Sequence, residues 1–421
     1  MKTSATVLSW MLLLVLRCLG QQRELRDEIT GQSIDCDTRS VVVLIHGWNP
    51  EDVRDRYQYS DEWAYLLNML KLRLQGSHWK VIAYHWEQGP LGANTGPVTH
   101  DTSDFLGYGN ATASALHANQ QGPNLFTLLS SEAPELRRVH FIAHSAGSWA
   151  AREAMRLLIE ANPYVVCQMT LLDPFIPDAS GLVGTHTGLT TPLMSSTAGL
   201  QSNDRIHRLE NYYADDFVSQ GTVFGTLSTQ EEFVWRGSDV NQQVDWGVTI
   251  IPGLHSYYDY HSGPILWYGD TVAASITGRP VPAGLFGLGC PFNFIQVGWY
   301  KSLAGQEFLF PKITAQPQDQ TVQSGATATF SVSANRATSY QWFKDGAIIP
   351  SATASTLDVS TAIGNAQYVA RVGNANGQVF SEKARLMVIP AATAPTIVTP
   401  PQNRTVTENQ TTTFTVLASG T

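Results

Sequence analysis

The sequence is poor in charged residues and has no cluster of basic ones. Charged side chains make up 14% of the 421 residues, hydrophobic ones 43%, and the net charge at pH 7 is -9. This composition is typical of a globular protein rather than a disordered one. A nucleic-acid partner would require clustered Lys and Arg, so the sequence predicts none.

Cysteine is scarce, with four residues in the whole chain. Three of them, Cys36, Cys167 and Cys290, follow the N-terminal segment, and three cysteines do not make a disulfide framework. Cys167 lies in an apolar strand-like run and is expected to be a buried thiol. A disulfide between Cys36 and Cys290, formed after export, is a hypothesis.

Long hydrophobic segments are absent apart from the N-terminus. Lys2 supplies a positive charge, Val7–Leu16 is a short apolar core, and Cys18-Leu19-Gly20 offers small residues before a cut at Gln21. This pattern predicts a signal peptide at residues 1–20 and a secreted, extracellular protein. The apolar core is short for a transmembrane helix, so an uncleaved anchor is the less favoured alternative, and the mature chain is expected to have no transmembrane segment.

Residues 21–308 alternate apolar strand-like runs with amphipathic helical stretches. Val41–Ile45 is apolar throughout, which is typical of a strand covered on both faces. The pattern predicts an α/β domain with a mostly parallel sheet and helices on both sides. A helix is predicted at Asp61–Leu74, with a buried face of Trp63, Leu66, Leu67, Leu70 and Leu74. Other strands are predicted at Trp79–Trp86, Val139–Ala143, Tyr164–Leu172 and Arg208–Tyr213, and other helices at Ser145–Ala161 and Ile265–Ala274.

The segment Pro174–Asp204 is rich in Gly, Thr and Ser. It is longer than an ordinary connection between secondary-structure elements. It is predicted to be a lid or substrate-binding insertion, with a plain surface loop as the alternative.

After Phe310 the helical patterns end and short strand-like runs alternate with turns. Pro311–Ala334 recurs 84 residues later as Pro395–Ala418, with 11 of 24 residues identical. A period of this length predicts an all-β sandwich repeat. The predicted domains are therefore a β-sandwich at 309–390 and a linker with an incomplete second repeat at 391–421.

The first of these repeats resembles bacterial immunoglobulin-like domains. Trp342 stands where such sandwiches bury a tryptophan, and Tyr368 lies two residues before Ala370. Ala370 and Val332 occupy the positions of the two cysteines of an antibody domain, so the core is expected to rely on packing. The resemblance implies a spacer or a contact with a polymer or a cell surface.

The strongest chemical motif is Val139–Gly147, in which an apolar strand leads into a serine and then a helix. Ala143 and Gly147 flank Ser145 at two residues' distance, as in a nucleophile elbow with alanine at the first glycine position. The turn requires small residues there and presents the Ser145 hydroxyl at the helix N-terminus. The backbone N–H of Ala146 then points at a developing oxyanion, so Ser145 is the candidate catalytic nucleophile.

An earlier segment, Val41–Pro50, offers a second oxyanion donor. A strand that ends in His46-Gly47 suits the oxyanion loop of such enzymes, so the backbone N–H of Trp48 is expected to complete the oxyanion hole. An ordinary turn is the alternative, but the order of the two motifs favours the catalytic interpretation.

A catalytic serine needs a histidine base. In hydrolases with this elbow the triad follows the order serine, acid, histidine. His255 and His261 lie ahead of the predicted helix Ile265–Ala274, and the closer position favours His261.

The base in turn needs a carboxylate that orients it. Asp173 ends the strand that follows the nucleophile helix, whereas Asp215 and Asp216 follow the next strand. Position alone leaves these alternatives open.

Together these motifs resemble the pancreatic-lipase-like family of α/β-hydrolases over residues 40–275. His46-Gly47-Trp48 matches the family's oxyanion loop and His140–Gly147 its elbow. Leu172-Asp173-Pro174 matches its Leu-Asp-Pro-Ala motif, whose aspartate is the triad acid, so the resemblance implies Asp173 as the acid. It also implies His261 as the base.

The chain departs from that family at several points. Gly263 and Pro264 replace an Arg and a Ser, the family's disulfides are missing, and immunoglobulin-like repeats replace its lipid-binding sandwich. A distant, bacterial relative is therefore expected, and the resemblance implies the hydrolytic machinery but neither the family's lipid substrate nor a colipase-like partner.

The resulting hypothesis is a secreted carboxylic-ester hydrolase, a lipase or esterase, that acts on an ester or lipid through an acyl-enzyme and needs no metal or other cofactor. The alternatives are a peptidase or amidase on the same fold, a hydrolase of polyesters or polysaccharide esters, and a non-catalytic surface-binding protein.

Overall fold

The computed structural model describes residues 25–47, 61–86, 108–174, 208–213, 240–243, 263–277, 298–360, 365–391 and 394–420. The chain divides into two compact units, with the division between Leu309 and Phe310. Among the described residues, no helix combines the length and the apolarity needed to cross a bilayer.

Six strands of the first unit form a wholly parallel sheet within the described part of the chain. They are β1 (Ser40–Ile45), β2 (Trp79–Tyr84), β3 (Arg138–His144), β4 (Val166–Leu172), β5 (Arg208–Tyr213) and β6 (Val240–Gln243). Their order in the sheet is β2-β1-β3-β4-β5-β6. Every residue of β1 and β4 is buried, as expected of strands covered on both faces. The parallel sheet predicted from the sequence is confirmed.

Helices cover the two faces of this sheet. The described helices are α1 (Asp61–Leu74), α2 (Tyr108–Glu132), α3 (Gly147–Ala161) and α4 (Gly263–Thr277). On one face α2 packs against α3, and Trp149 of α3 shares an apolar core with Val43 of β1 and Phe141 of β3. On the other face α1 packs against α4.

Helix α1 begins and ends where the sequence pattern predicts. All five apolar residues of its predicted inner face are at most 5% exposed. Helix α2 was not predicted, since Gly122 and Pro123 lie within it. Gly122 allows α2 to approach α3 closely, because an added Cβ would lie 2.5 Å from the Cβ of Glu153.

A buried polar network joins β3, β4 and β5 on the face of α4. The Thr170 hydroxyl donates to the Glu210 carboxylate at 3.0 Å and lies 2.9 Å from Nε2 of His140. Gln168 donates to the same carboxylate at 2.9 Å, and Arg208 donates to its other oxygen at 2.6 Å. Burial raises the pKa of Glu210, although these donors oppose the shift. The network ties together the strands whose ends carry the candidate site.

The second unit is built of strands, which confirms the predicted all-β region. The strands are β7 (Lys312–Ala315), β8 (Gln320–Gln323), β9 (Thr327–Ser331), β10 (Ser333–Asn335), β11 (Ser339–Lys344), β12 (Ala347–Ile348), β13 (Thr356–Ser360), β14 (Ala366–Asn374), β15 (Gly377–Phe380), β16 (Ala384–Ile389), β17 (Thr396–Thr399) and β18 (Leu417–Ser419). Strands β8, β11, β12, β14, β15 and β16 form one sheet, and β9 pairs with β13.

Aromatic packing joins these two groups of strands. Phe330 of β9 stacks on Tyr368 of β14 with ring centroids 4.7 Å apart. Trp342 is fully buried opposite Ala370, and its indole donates to the Ala354 carbonyl at 2.9 Å. The positions expected to form a core without a disulfide therefore do so by packing.

The sequence repeat is reproduced in the strand pairing. Ala334 pairs with Ile313 between β10 and β7, and Ala418 pairs with Ile397, 84 positions later, between β18 and β17. Both antiparallel pairs also contain a register shift at the corresponding place.

Candidate active site

Ser145 lies at the turn between β3 and α3. Its φ angle is +50°, a left-handed conformation that costs a non-glycine residue free energy and is concentrated at functional sites. The Ser145 N–H donates to the Leu172 carbonyl, and α3 begins two residues later at Gly147. Ala143 and Ala146 are both buried. A side chain at Gly147 would collide with the His46 carbonyl oxygen. The tight strand-turn-helix predicted from the sequence is present, and it requires small residues where they occur.

The loop after β1 lies directly against Ser145. A Cβ added at Gly47 would lie 2.8 Å from the Cβ of Ser145 and 2.7 Å from Nδ1 of His144. Only glycine fits at this distance without a shift of its neighbours. Trp48, the predicted second oxyanion donor, lies outside the described residues, but its amide nitrogen is bonded to the carbonyl carbon of Gly47. The oxyanion donor predicted from the sequence therefore belongs to the residue after Gly47, which has no room for a side chain beside Ser145.

His46 is held in this loop by two hydrogen bonds. The Trp86 indole donates to the His46 carbonyl at 2.7 Å, and the two rings stack with centroids 5.8 Å apart. Burial, together with the neighbouring His85, lowers the pKa of His46 to about 4, so the ring is neutral at physiological pH. Its Nδ1 lies 2.6 Å from the Gly47 carbonyl oxygen, which can only accept, so the proton resides on Nδ1.

Asp173 follows β4 as Ser145 follows β3. His144 pairs with Leu172 at the last step of the two strands, so Ser145 and Asp173 occupy the next positions on neighbouring strands. Asp173 is 1% exposed, its φ angle is +47°, and its N–H donates to the Tyr212 carbonyl at 2.8 Å. Adjacent strands lie about 4.8 Å apart, which brings the predicted nucleophile and the predicted acid to the same edge of the sheet.

The remaining predicted site residues are not all described. His261 and its alternative His255 lie outside the described residues, as do Asp215 and Asp216. Helix α4 begins at Gly263, two residues after His261. The structure thus brings Ser145, Ala146 and Asp173 together and leaves the predicted base as an expectation. The hypothetical partner Cys290 of Cys36 and the predicted lid after Pro174 also lie outside the described part of the chain.

The sheet topology locates a site independently of any motif. The chain runs from β1 to β2, the outermost described strand on that side, and returns to β3 on the other side of β1, so the strand order reverses between β1 and β3. Ligands of open parallel sheets bind beyond the carboxyl ends of the strands at such a switch point. Gly47 and Ser145 lie at that point.

Some contributors to the site were not recognised from the sequence. The local sequence pattern does not show that the Trp86 indole donates to the His46 carbonyl, or that Thr170 and Glu210 belong to one buried network. The available signals were an aromatic residue at the end of a predicted strand and polar residues within apolar strand-like runs. Among the described residues, no group of three or more His, Cys, Asp or Glu side chains is arranged to hold a metal ion.

Comparisons with known proteins give matches only among solved structures. No protein-family model and no curated protein matches the chain. The tandem Ig repeats of Dlar match with 19% identity and a TM-score of 0.18, covering 19% of this chain and 49% of that one. Immunoglobulin domains 1–5 of Sidekick-1 match with 23% identity and a TM-score of 0.17, covering 20% of each chain.

The chain thus spans half or less of the length of these two structures. Both are described as immunoglobulin-domain structures.

Proposed function

We propose that the first unit is a serine ester hydrolase with an α/β-hydrolase fold and that Ser145 is its nucleophile. The observation that supports this most directly is the setting of Ser145. It has a positive φ between a buried parallel strand and a helix, Gly47 lies against it, and Asp173 lies in register beside it. A residue held in this conformation at a topological switch point favours a catalytic role.

The proposed reaction is acyl transfer. His261 takes the hydroxyl proton as Ser145 attacks the carbonyl carbon of an ester, and Asp173 holds the imidazole in the required tautomer. The N–H groups of Ala146 and Trp48 donate to the oxyanion of the tetrahedral intermediate, where loss of one donor typically costs about 2.7–4 kcal/mol. His261 then protonates the leaving alcohol, and water, activated by the same base, releases the acyl group.

The proposed location and substrate of the enzyme rest on the other parts of the chain. The predicted signal peptide implies secretion, so the substrate is an extracellular ester or lipid. The immunoglobulin-like region then serves as a spacer or as a contact to a polymer or a cell surface.

Hydrolysis of p-nitrophenyl esters, from acetyl to palmitoyl, tests this proposal. Ser145→Ala should abolish hydrolysis, whereas Ser148→Ala should retain it. Ser148 lies on the same helix and is fully buried, and its hydroxyl has no hydrogen-bond partner among the described residues, so it is a matched control. A chain-length optimum would separate an esterase from a lipase. If the folded wild-type protein is no faster than Ser145→Ala on every ester, the proposal fails, and amide substrates and surface binding become the next tests.

A further inference from the structure

Trp86 joins the end of β2 to the loop that follows β1. Its indole N–H donates to the His46 carbonyl oxygen at 2.7 Å, and its ring stacks on the His46 ring. Trp86 is fully buried, and a buried indole N–H usually needs an acceptor. Here the acceptor is a carbonyl of the loop, outside any strand or helix. The side chain of Trp86 therefore restrains a segment that the sheet itself does not hold.

The His46 carbonyl oxygen lies between Trp86 and the nucleophile turn. A side chain at Gly147 would collide with this oxygen, so the oxygen lies against the first residue of α3. Gly147 is two residues after Ser145. One oxygen atom thus contacts both the Trp86 indole and the start of the nucleophile helix.

The next residue of the loop lies against the nucleophile itself. A Cβ added at Gly47 would lie 2.8 Å from the Cβ of Ser145. The carbonyl oxygen of Gly47 lies 2.6 Å from Nδ1 of His46, so the two loop residues are also hydrogen-bonded to each other. A displacement of the His46 carbonyl therefore displaces Gly47 relative to Ser145.

We propose that Trp86 is a positioning residue, whose hydrogen bond to the His46 carbonyl holds Gly47 at its distance from Ser145. This inference rests on the proposed serine hydrolase function. Trp86 touches no reacting atom in this account. It acts on the space beside Ser145 into which the ester carbonyl must fit.

A second tryptophan of the same strand offers a matched control. Trp79 is the first residue of β2, is 1% exposed, and its indole donates to Oε2 of Glu307 at 2.9 Å. Seven positions along a strand correspond to roughly 20 Å, so Trp79 lies far from the carboxyl end of the sheet, where Ser145 is found. A buried indole hydrogen bond that only stabilises the fold should behave alike at both ends of β2.

The test measures ester hydrolysis by the full chain, with kcat expressed per active site titrated by a fluorophosphonate. Expression per titrated site removes any loss due to unfolded protein. Trp86→Phe keeps an aromatic ring and removes the N–H. It should lower kcat by on the order of tenfold to a hundredfold with little change in KM, because a misplacement of up to one ångström affects the transition state most. Trp79→Phe should leave kcat within about twofold.

A double variant tests whether Trp86 acts through the loop. Gly47→Ala displaces the same loop directly, so the combined loss in Gly47→Ala with Trp86→Phe should be smaller than the product of the two single losses. Gly47→Ala with Trp79→Phe should show the plain product. A full product in the first pair would mean that Trp86 and Gly47 act independently, and it would overturn the proposal.

Two results from the single variants would also overturn it. One is an unchanged kcat per titrated site in Trp86→Phe, and the other is an equal loss in Trp79→Phe. If Trp86→Phe does not fold, replacement of Trp86 by benzothienylalanine decides, since this residue keeps the shape of the indole and lacks the N–H. If no site titrates in folded wild-type protein, the serine hydrolase function itself fails and the positioning role fails with it.

Discussion

Ser145 and Asp173 occupy corresponding positions beyond the paired ends of two neighbouring parallel strands, and both have a positive φ, +50° and +47°. Within the described part of the first unit they are the two non-glycine residues with this conformation. Such a conformation costs on the order of 1–3 kcal/mol at each residue. The sheet therefore retains strain at the two positions where a nucleophile and its acid are proposed.

Relief of this strain should stabilise the protein at the expense of activity. Ser145→Gly should raise the free energy of unfolding by about 1 kcal/mol relative to Ser145→Ala, because glycine adopts a positive φ without cost whereas alanine does not. Urea unfolding of the two variants measures the difference. Both variants should be inactive, because each lacks the Ser145 hydroxyl. Equal stabilities of the two variants would show that the positive φ stores no strain.

The glycine of the oxyanion loop should be intolerant of a methyl group. Gly47→Ala places a Cβ 2.8 Å from Ser145 and should lower kcat/KM by on the order of 10²-fold by displacing the loop. Gly76→Ala is the control, since Gly76 has a φ of +74° but open space around it. Gly76→Ala should lower the free energy of unfolding and leave kcat/KM unchanged. Wild-type kinetics in Gly47→Ala would place the oxyanion hole elsewhere.

The acid of the triad can be identified by a series of aspartate-to-asparagine changes. Asp173→Asn should lower kcat by on the order of 10⁴-fold, because the amide favours the wrong imidazole tautomer. Asp215→Asn and Asp216→Asn should retain most of the activity. A large loss at Asp215 or Asp216 with little at Asp173 would reverse the assignment.

Glu307 should give the first unit a distinct acid-induced loss of stability. Burial alone would raise its pKa, but hydrogen bonds from His78 and from the Trp79 indole and the charge of Arg138 lower it to about 2. Because the folded-state pKa is lowered, the carboxylate contributes stability above its unfolded pKa near 4.5, and this contribution is lost as the pH falls towards 2. The contribution at neutral pH is about 2 kcal/mol once partial exposure is taken into account.

Urea unfolding as a function of pH measures this contribution. Glu307→Gln should be less stable than the wild type at pH 7, and the two proteins should converge near pH 2. Glu160→Gln, which removes an exposed partner of Arg156, should have little effect at any pH. A constant difference between wild type and Glu307→Gln at every pH would contradict the assigned pKa.

The local parts of this structure could be predicted from the sequence. The bounds of α1 and β5 match their predictions, and those of α1 follow from its apolar spacing. The turn at Ser145 was predicted because its strand, small flanking residues and helix are contiguous. Helix α2 was missed because Gly122 and Pro123 weaken its pattern, and tertiary packing outweighs that local preference.

Features that depend on strand register could not be predicted. The position of Asp173 beside Ser145 follows from the pairing of β3 with β4, which no local pattern encodes. The interaction of Glu307 with Arg138 joins residues 169 positions apart. The sequence placed Asp173 among three candidate acids, and only its resemblance to a family favoured it. The structure adds an independent reason, its register with Ser145.

Labelling of the full chain with a fluorophosphonate, followed by peptide mapping, tests the central claim most directly. The reagent reacts only with a serine activated by its surroundings. The account predicts that one equivalent is incorporated, that it is attached to Ser145, and that Asp173→Asn slows its incorporation. The absence of labelling in folded protein, or its attachment to another residue, would contradict the account.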